Sequence, residues 1–358
     1  AYEIMPSLVG SEMCIRDSSR AMLSRHPLIS IWDDHEISND AWKLGSVNHS
    51  TDGSEGTFDN RKKNAIKAYF EWMPIREPGT HNGFIHRSFQ IGDLVDLHML
   101  DTRLIGRDQQ VSYSNYTGSK TKQKPVHILN KSPNQFDSKQ FNQDLREPNR
   151  SILGMNQEMW LENRLKKTNA TWTILGQQVM LAPQKWSVTK DLIERKSSES
   201  SQELDMAMQK ETIRPELTKN LDAWDGYPAA RSRLYEVIAE HKKKLVALSG
   251  DTHFSTAHNL VDKSGQLIGA EFGTTSVTSP SFWDNVNINK IELEKKQLDF
   301  NDGMQFLHLR NRGYLVVEID RAKAAGKWHL IDDVKTKNYK TWLEKTLILE
   351  INKKGGLI

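Results

Sequence analysis

Leu245-Val-Ala-Leu-Ser-Gly-Asp-Thr-His253 decides the fold class. Its first five residues are an apolar run of strand length. The next four leave that run with a glycine, a carboxylate and an imidazole. Acids and histidines on loops at strand ends are how α/β enzymes assemble metal sites. A second stretch repeats the arrangement: Pro27-Leu-Ile-Ser-Ile31, read as a strand, leads into Trp32-Asp33-Asp34-His35-Glu36. Gly-Asp-x-His fixes three letters, which chance supplies easily, whereas Trp-Asp-Asp-His-Glu fixes five. Either alone could be a polar turn capping a helix. Together, each behind an apolar run, they point to one site. Asp34 and Asp251 stand 217 positions apart, so such a site requires most of the chain to fold as one unit.

Outward from these motifs the pattern alternates. Asn60–Met73 reads as a helix with Ala65, Ala68, Tyr69 and Trp72 on one face, ended by Pro74. Gly83–Gln90 and Asp93–Asp101 read as a hairpin, Asn156–Lys167 as a helix, and Thr171–Leu181 as a strand. Ala229–Lys243 reads as an amphipathic helix whose last turn is basic, suiting the dipole. Further strands are expected at Gly269–Phe272, Gly313–Asp320 and Trp328–Val334. Strands between helices predict an α/β fold, and late strands without helices predict mixed sheets. Residues 106–155, polar, and 187–220, strongly charged, read as insertions: lids or surface. There is no internal repeat.

Composition narrows the classes. The 358 residues are 37% hydrophobic and 27% charged, as in a soluble globular chain. A net charge of +3 implies neither nucleic acid nor a membrane surface as partner. No run of eighteen apolar residues is present, so no membrane span is expected, and no signal peptide is recognisable in the sequence as it stands. The one cysteine, Cys14, excludes an internal disulfide.

Several motifs in order carry a resemblance: Trp32-Asp-Asp-His-Glu36, Leu100-Asp-Thr-Arg103, Gln157-Glu158 with Trp160-Leu161, and Trp172-Thr-Ile-Leu-Gly-Gln-Gln178. Trp224-Asp-Gly-Tyr-Pro-Ala-Ala-Arg231, Leu248-Ser-Gly-Asp-Thr-His253, Glu271-Phe-Gly-Thr-Thr-Ser276 with Ser279-Pro280, and Gly313-Tyr-Leu-Val-Val317 complete them. Over roughly residues 25–335 the chain resembles the PhoD-like alkaline phosphatase/phosphodiesterase family, a branch of the calcineurin-like metallophosphoesterases. The resemblance implies a four-layer α/β sandwich of two mixed β-sheets flanked by helices. It implies two metal ions, most readily iron and calcium, with manganese or zinc as alternatives, and a small phosphate mono- or diester as substrate. It implies a periplasmic or extracellular location. The family's early aspartate motifs, one bridging the metals, find no match in the thirty-one residues before Trp32. The chain therefore reads as the C-terminal two-thirds of a family member, with N-terminal strands missing. Ser7-Leu-Val-Gly-Ser-Glu-Met-Cys-Ile-Arg-Asp-Ser18 resembles translated sequencing-adapter DNA, so residues 1–19 are expected to be non-native or disordered and 20–358 to form a single domain.

Residue roles follow. Asp34, where the superfamily has an asparagine ligand, is expected to bind a hard cation, against the alternative of a helix N-cap. The resemblance makes His35 a substrate-facing proton donor, a role suited to imidazole. Asp33 and Glu36 are expected to fix this loop. Asp251 and His253, two apart and on one side of an extended chain, are expected to be metal ligands. Gln177 or Gln178 is a metal or phosphate contact, or a strand-end hydrogen bond. Arg231 is a catalytic phosphate clamp, or an ion pair at a helix start. Asp101 and Arg103 are expected to be a supporting pair. Asp34, Asp251 and His253 should converge. The leading function is metal-dependent hydrolysis of phosphate esters with a water nucleophile. A catalytically incomplete fragment is the first alternative, and a non-enzymatic anion binder using Lys242-Lys243-Lys244 the second. Because three ligands cannot satisfy two cations, the chain as given is expected to be nearly inactive and poorly soluble.

Overall fold

A computed structural model describes residues 20–50, 52–76, 84–116, 136–186, 220–336, 338–351 and 355–358. Residues 1–19 and nearly all of the 187–220 insertion lie outside the described residues. Helix α1, Phe58–Trp72, begins where the Thr57 side chain accepts the Asn60 N–H. It precedes the hairpin β1, Arg87–Ile91, and β2, Val95–Met99. Helices α2, Ser138–Leu145, and α3, Met155–Lys167, come next, then β3, Trp172–Gly176. Helix α4, Pro228–Glu240, leads into β4, Leu245–Ser249. The remainder is β5, Ser255–Val261; β6, Leu267–Gly273; α5, Lys290–Phe300; β7, Met304–His308; β8, Arg312–Ile319; β9, Lys323–Ile331; and β10, Thr341–Glu350.

Seven strands form one mixed sheet in the order β1-β2-β3-β4-β6-β5-β7, with β2, β3, β4 and β6 parallel. Strands β8 to β10 form a second, antiparallel sheet. Strand β3 is buried along its whole length, which is why it reads as a continuous apolar run. One face of the large sheet packs under α3 and α4 through Leu161, Leu165, Leu234 and Ile238 against Leu175, Leu245 and Ile268. Its other face meets the small sheet through Trp172, Val246 and Phe272 against Ala324, Trp328 and Leu349. Two indoles stitch the sheets together. Trp172 donates to Asp320 O at 2.6 Å, and Trp328 donates to Gly273 O at 2.9 Å. The α/β fold with two sheets and helices is as expected.

Five expectations are corrected. Residues 27–31 are not a strand. They join no ladder and are held instead by Arg87, whose guanidinium donates to Ser30 O at 2.5 Å. The strand expected to reach Leu181 ends at Gly176, because Gln177 and Gln178 turn away to bind neighbouring loops. Helix α4 ends at Glu240, before its basic residues: Lys242 takes a left-handed φ of 50°, which closes a helix. The run 242–244 is not a free basic cluster either, since Lys243 Nζ donates to Thr168 O at 2.7 Å. Within 106–155, Arg107, Ile152 and Leu153 are buried. Gly106 and Gly154 approach so closely that a Cβ on Gly106 would stand 1.9 Å from Leu153 O.

Candidate metal centre

Strands β3 and β4 run side by side and parallel, so their C-terminal loops open at the same end of the sheet. Gln178 sits in the first of these loops and holds three others. Its Oε1 accepts from Thr102 N at 3.1 Å and from the Thr102 hydroxyl at 2.5 Å. Its Nε2 donates to Trp32 O at 2.7 Å and Leu100 O at 2.9 Å, while its carbonyl accepts from Gly250 N at 2.9 Å. Residues 32, 100 and 102 are thereby fastened to one side chain, and residue 250 to the backbone of the same residue. Gln177 Oε1 accepts from the Trp224 indole at 2.8 Å. Both side chains are buried; Gln178 has both ends of its amide bonded to the protein, while the Gln177 Nε2 has no partner among the described residues.

This clasp brings Asp33 and Asp34 to Asp251. One carboxylate oxygen from each of the three lies within 4.8 Å of the others. Asp34 is buried, and its Oδ2 accepts from Asp40 N at 2.8 Å inside a turn, not at a helix cap. Asp251 has φ 66° and His253 φ 57°, left-handed conformations in which Asp and His are tolerated better than most residues. The Glu36 carboxylate accepts Asp33 N–H at 2.8 Å.

Arg103 is wholly buried against these acids. Its Nε pairs with Asp33 at 2.6 Å, Nη1 with Asp222 at 2.6 Å, and Nη2 lies 3.6 Å from Asp251. Arg107 also pairs with Asp222 and lies over the Tyr227 ring, 5.2 Å from its centroid. Burial raises the pKa of Asp251 well above the ordinary carboxylate value, and the neighbouring Asp33 adds to the rise. Burial raises Asp33 as well, against the opposing pull of Arg103. Asp40 is pushed up to about 6 by burial and by Asp222. Burial opposes ionisation of Asp222 too, but Arg103 and Arg107 together overcome it and hold its carboxyl below the usual value. Five carboxylates thus face two guanidiniums.

The other expected residues fall around this centre. His35 is exposed, its Nε2 3.8 Å from Asp34. His253 does not lie within the triad's mutual distance; its Nδ1 meets Pro280 O at 2.7 Å. A carbonyl only accepts, so Nδ1 carries a proton. Arg231 pairs with Asp225 at 2.5 Å, and none of its hydrogen bonds reaches the triad. Asp101 caps its own turn, accepting from Arg103 N and Leu104 N, both at 2.8 Å, so it supports the arginine's backbone and not its guanidinium. Asp222, Asp40 and Arg107 were not anticipated. Asp222 lies just past a charged insertion with no strand in front of it, so no local pattern announces it.

The family model for PhoD-like phosphatases matches residues 15–328. The chain belongs to the PhoD-like phosphatase family. Alkaline phosphatase D of Bacillus subtilis (strain 168) is 33% identical over 269 residues, which cover 73% of this chain and 37% of that protein. A solved structure described as "Structure of PhoD" matches with a TM-score of 0.64 and 25% identity, covering 92% of this chain and 53% of that one. The chain therefore spans only about a third to a half of the length of these relatives. The residues present fit the ion that a PhoD-like fold leads one to expect. Three convergent carboxylates form an oxygen donor set suited to a hard cation, and the excess of acids over guanidiniums calls for one.

Proposed function

We propose that the protein hydrolyses small phosphate mono- or diesters at a metal centre on Asp33, Asp34 and Asp251, outside the cytoplasm. The observation that carries this is the triad: acids 217 positions apart converge in a phosphatase-family fold. His253 is the proposed nitrogen ligand, because a ring whose Nδ1–H is held by a backbone carbonyl presents Nε2 in a fixed direction. Iron and calcium, in a two-ion site, are the proposed ions, with manganese or zinc as substitutes; when bound they would polarise the phosphoryl oxygens and supply the nucleophile. His35, exposed beside Asp34, is the proposed proton donor to the leaving group. Arg103 holds Asp33 in place and offsets part of the site's negative charge. Arg231, committed to Asp225, holds the start of α4.

Four residues do not complete two ions, so weak turnover is proposed for this chain and full activity for a form that supplies further ligands. The test is hydrolysis of chromogenic phosphate mono- and diesters with and without a chelator. The chelator should abolish activity, and Asp34→Asn should lower metal retention. His35→Ala should cut turnover by about 10²–10⁴ while leaving metal content intact, since a proton donor is lost and not a ligand. Cleavage indifferent to chelator and to both substitutions would overturn the reading.

A further inference from the structure

We propose that Glu271 is a positioning residue that locks the two loops of the metal centre into one register. The inference rests on the reading of Asp33, Asp34 and Asp251 as the ion site. Glu271 lies on β6, buried completely and outside that site. Its Oε1 accepts Leu181 N–H at 2.7 Å and the Ser249 hydroxyl at 2.8 Å, while its Oε2 accepts Ala182 N–H at 2.7 Å. These three partners divide between two arms of the centre. Ser249 is the last residue of β4, two before Asp251. Leu181 and Ala182 end the loop that carries Gln178, and Gln178 in turn fixes Trp32 O, next to Asp33. A single carboxylate therefore ties the Asp251 arm to the Asp33–Asp34 arm.

A carboxylate suits these three donors better than a carboxamide. Three donors converge on two oxygens, and a carboxamide would set an N–H against a backbone N–H or surrender one of the bonds. Arg231 and Tyr235 face Glu271 from α4, with Asp225 beside Arg231, and His258 stands opposite it on β5. His258 is kept neutral by burial, its pKa pushed down to about 3, so Arg231 is the facing cation. Burial lifts Glu271 to about 7, against the donated hydrogen bonds. Its carboxylate form is therefore present above neutral pH and fades below it.

The experiment measures Mn²⁺ binding to the purified chain and to Glu271→Gln by equilibrium dialysis, with the fold checked by circular dichroism. At about pH 8, Glu271→Gln should stay folded and bind Mn²⁺ roughly 10–100-fold more weakly, the range for losing a group that orients ligands. At about pH 6 the difference should shrink, because protonated Glu271 resembles glutamine. A merely structural role would lower the melting temperature without changing the affinity of the folded protein. If Glu271→Gln does not fold, Ser249→Ala, which removes one donor only, should show a smaller loss of affinity in the same direction. A wild-type chain that holds no Mn²⁺ overturns both the metal-site reading and this inference. Wild-type binding with unchanged affinity in the folded variants overturns this inference alone.

Discussion

Arg103 shows how a single residue sets the electrostatics of the centre. Removing a buried cation that faces Asp33, Asp222 and Asp251 leaves acids uncompensated, so Arg103→Leu should destabilise the chain by about 3–5 kcal/mol in urea unfolding. The loss should be smaller in Mn²⁺ than in chelator; equal losses would show that Arg103 does not share the work of an ion. The raised acids predict a pH dependence. An acid whose folded pKa is raised contributes stability that is full below its unfolded value and is lost as pH climbs through the folded value. Glu271, at about 7, therefore makes the metal-free chain more stable as pH falls from about 8 to about 6.5, and the raised Asp251 acts in the same direction. Below that, His98, pushed down to about 4 by burial, and His258 act in the opposite sense, since a buried neutral imidazole must be charged as the chain unfolds. Melting temperatures in chelator should rise as pH falls from about 8 to about 6.5, and a steady fall over that interval would refute this balance. Asp34 and Asp251 were legible because a motif surrounds each. Asp33 was legible only as a loop-fixing group, since its part in the triad depends on a turn that spacing does not encode.

At the scale of elements, the segment after β3 matters more than the strand. Gln178 uses both amide groups on buried partners. Gln178→Leu strands Trp32 O, Leu100 O and Thr102 N, each costing about 1–3 kcal/mol if left unpaired. A drop of several kcal/mol in denaturant unfolding, with weakened metal binding, is expected; a near-neutral change would mean that the loops hold themselves. Elements with regular periodicity were legible, including α1, α3, α4 and the β1–β2 hairpin. Strand β5 was not, because its buried residues include Ser255, Thr256 and His258 beside Ala257, which read as a polar loop. Strand β10 was hidden by a register shift between Leu343 and Lys345, which breaks the alternation of its apolar side chains. Helix α5 buries Glu294 and Gln297, so its polar letters conceal a packed face.

Across the whole molecule, the α/β class and the convergence of distant loops could be read from apolar runs and motifs. The strand order could not, because it is set by pairing between strands far apart in sequence. A cation that binds only the folded centre must raise the stability of the entire chain. At about a hundredfold excess over its dissociation constant the gain is about 2.7 kcal/mol. Calorimetry should show the melting temperature rising with added Mn²⁺ or Ca²⁺ and falling back in chelator, and a transition unmoved by either ion would argue against a folded-state site. The span from Asp34 to Asp251 also dictates when an ion can be taken up. At ordinary synthesis rates of about 5–20 residues per second, roughly 10–40 s separate the appearance of the first acids from that of Asp251. During that interval a nascent chain has no cage to close. Metal choice at the proposed centre would thus be deferred until the Asp251 loop has been made and folded, and the ions present where folding finishes would decide which is bound.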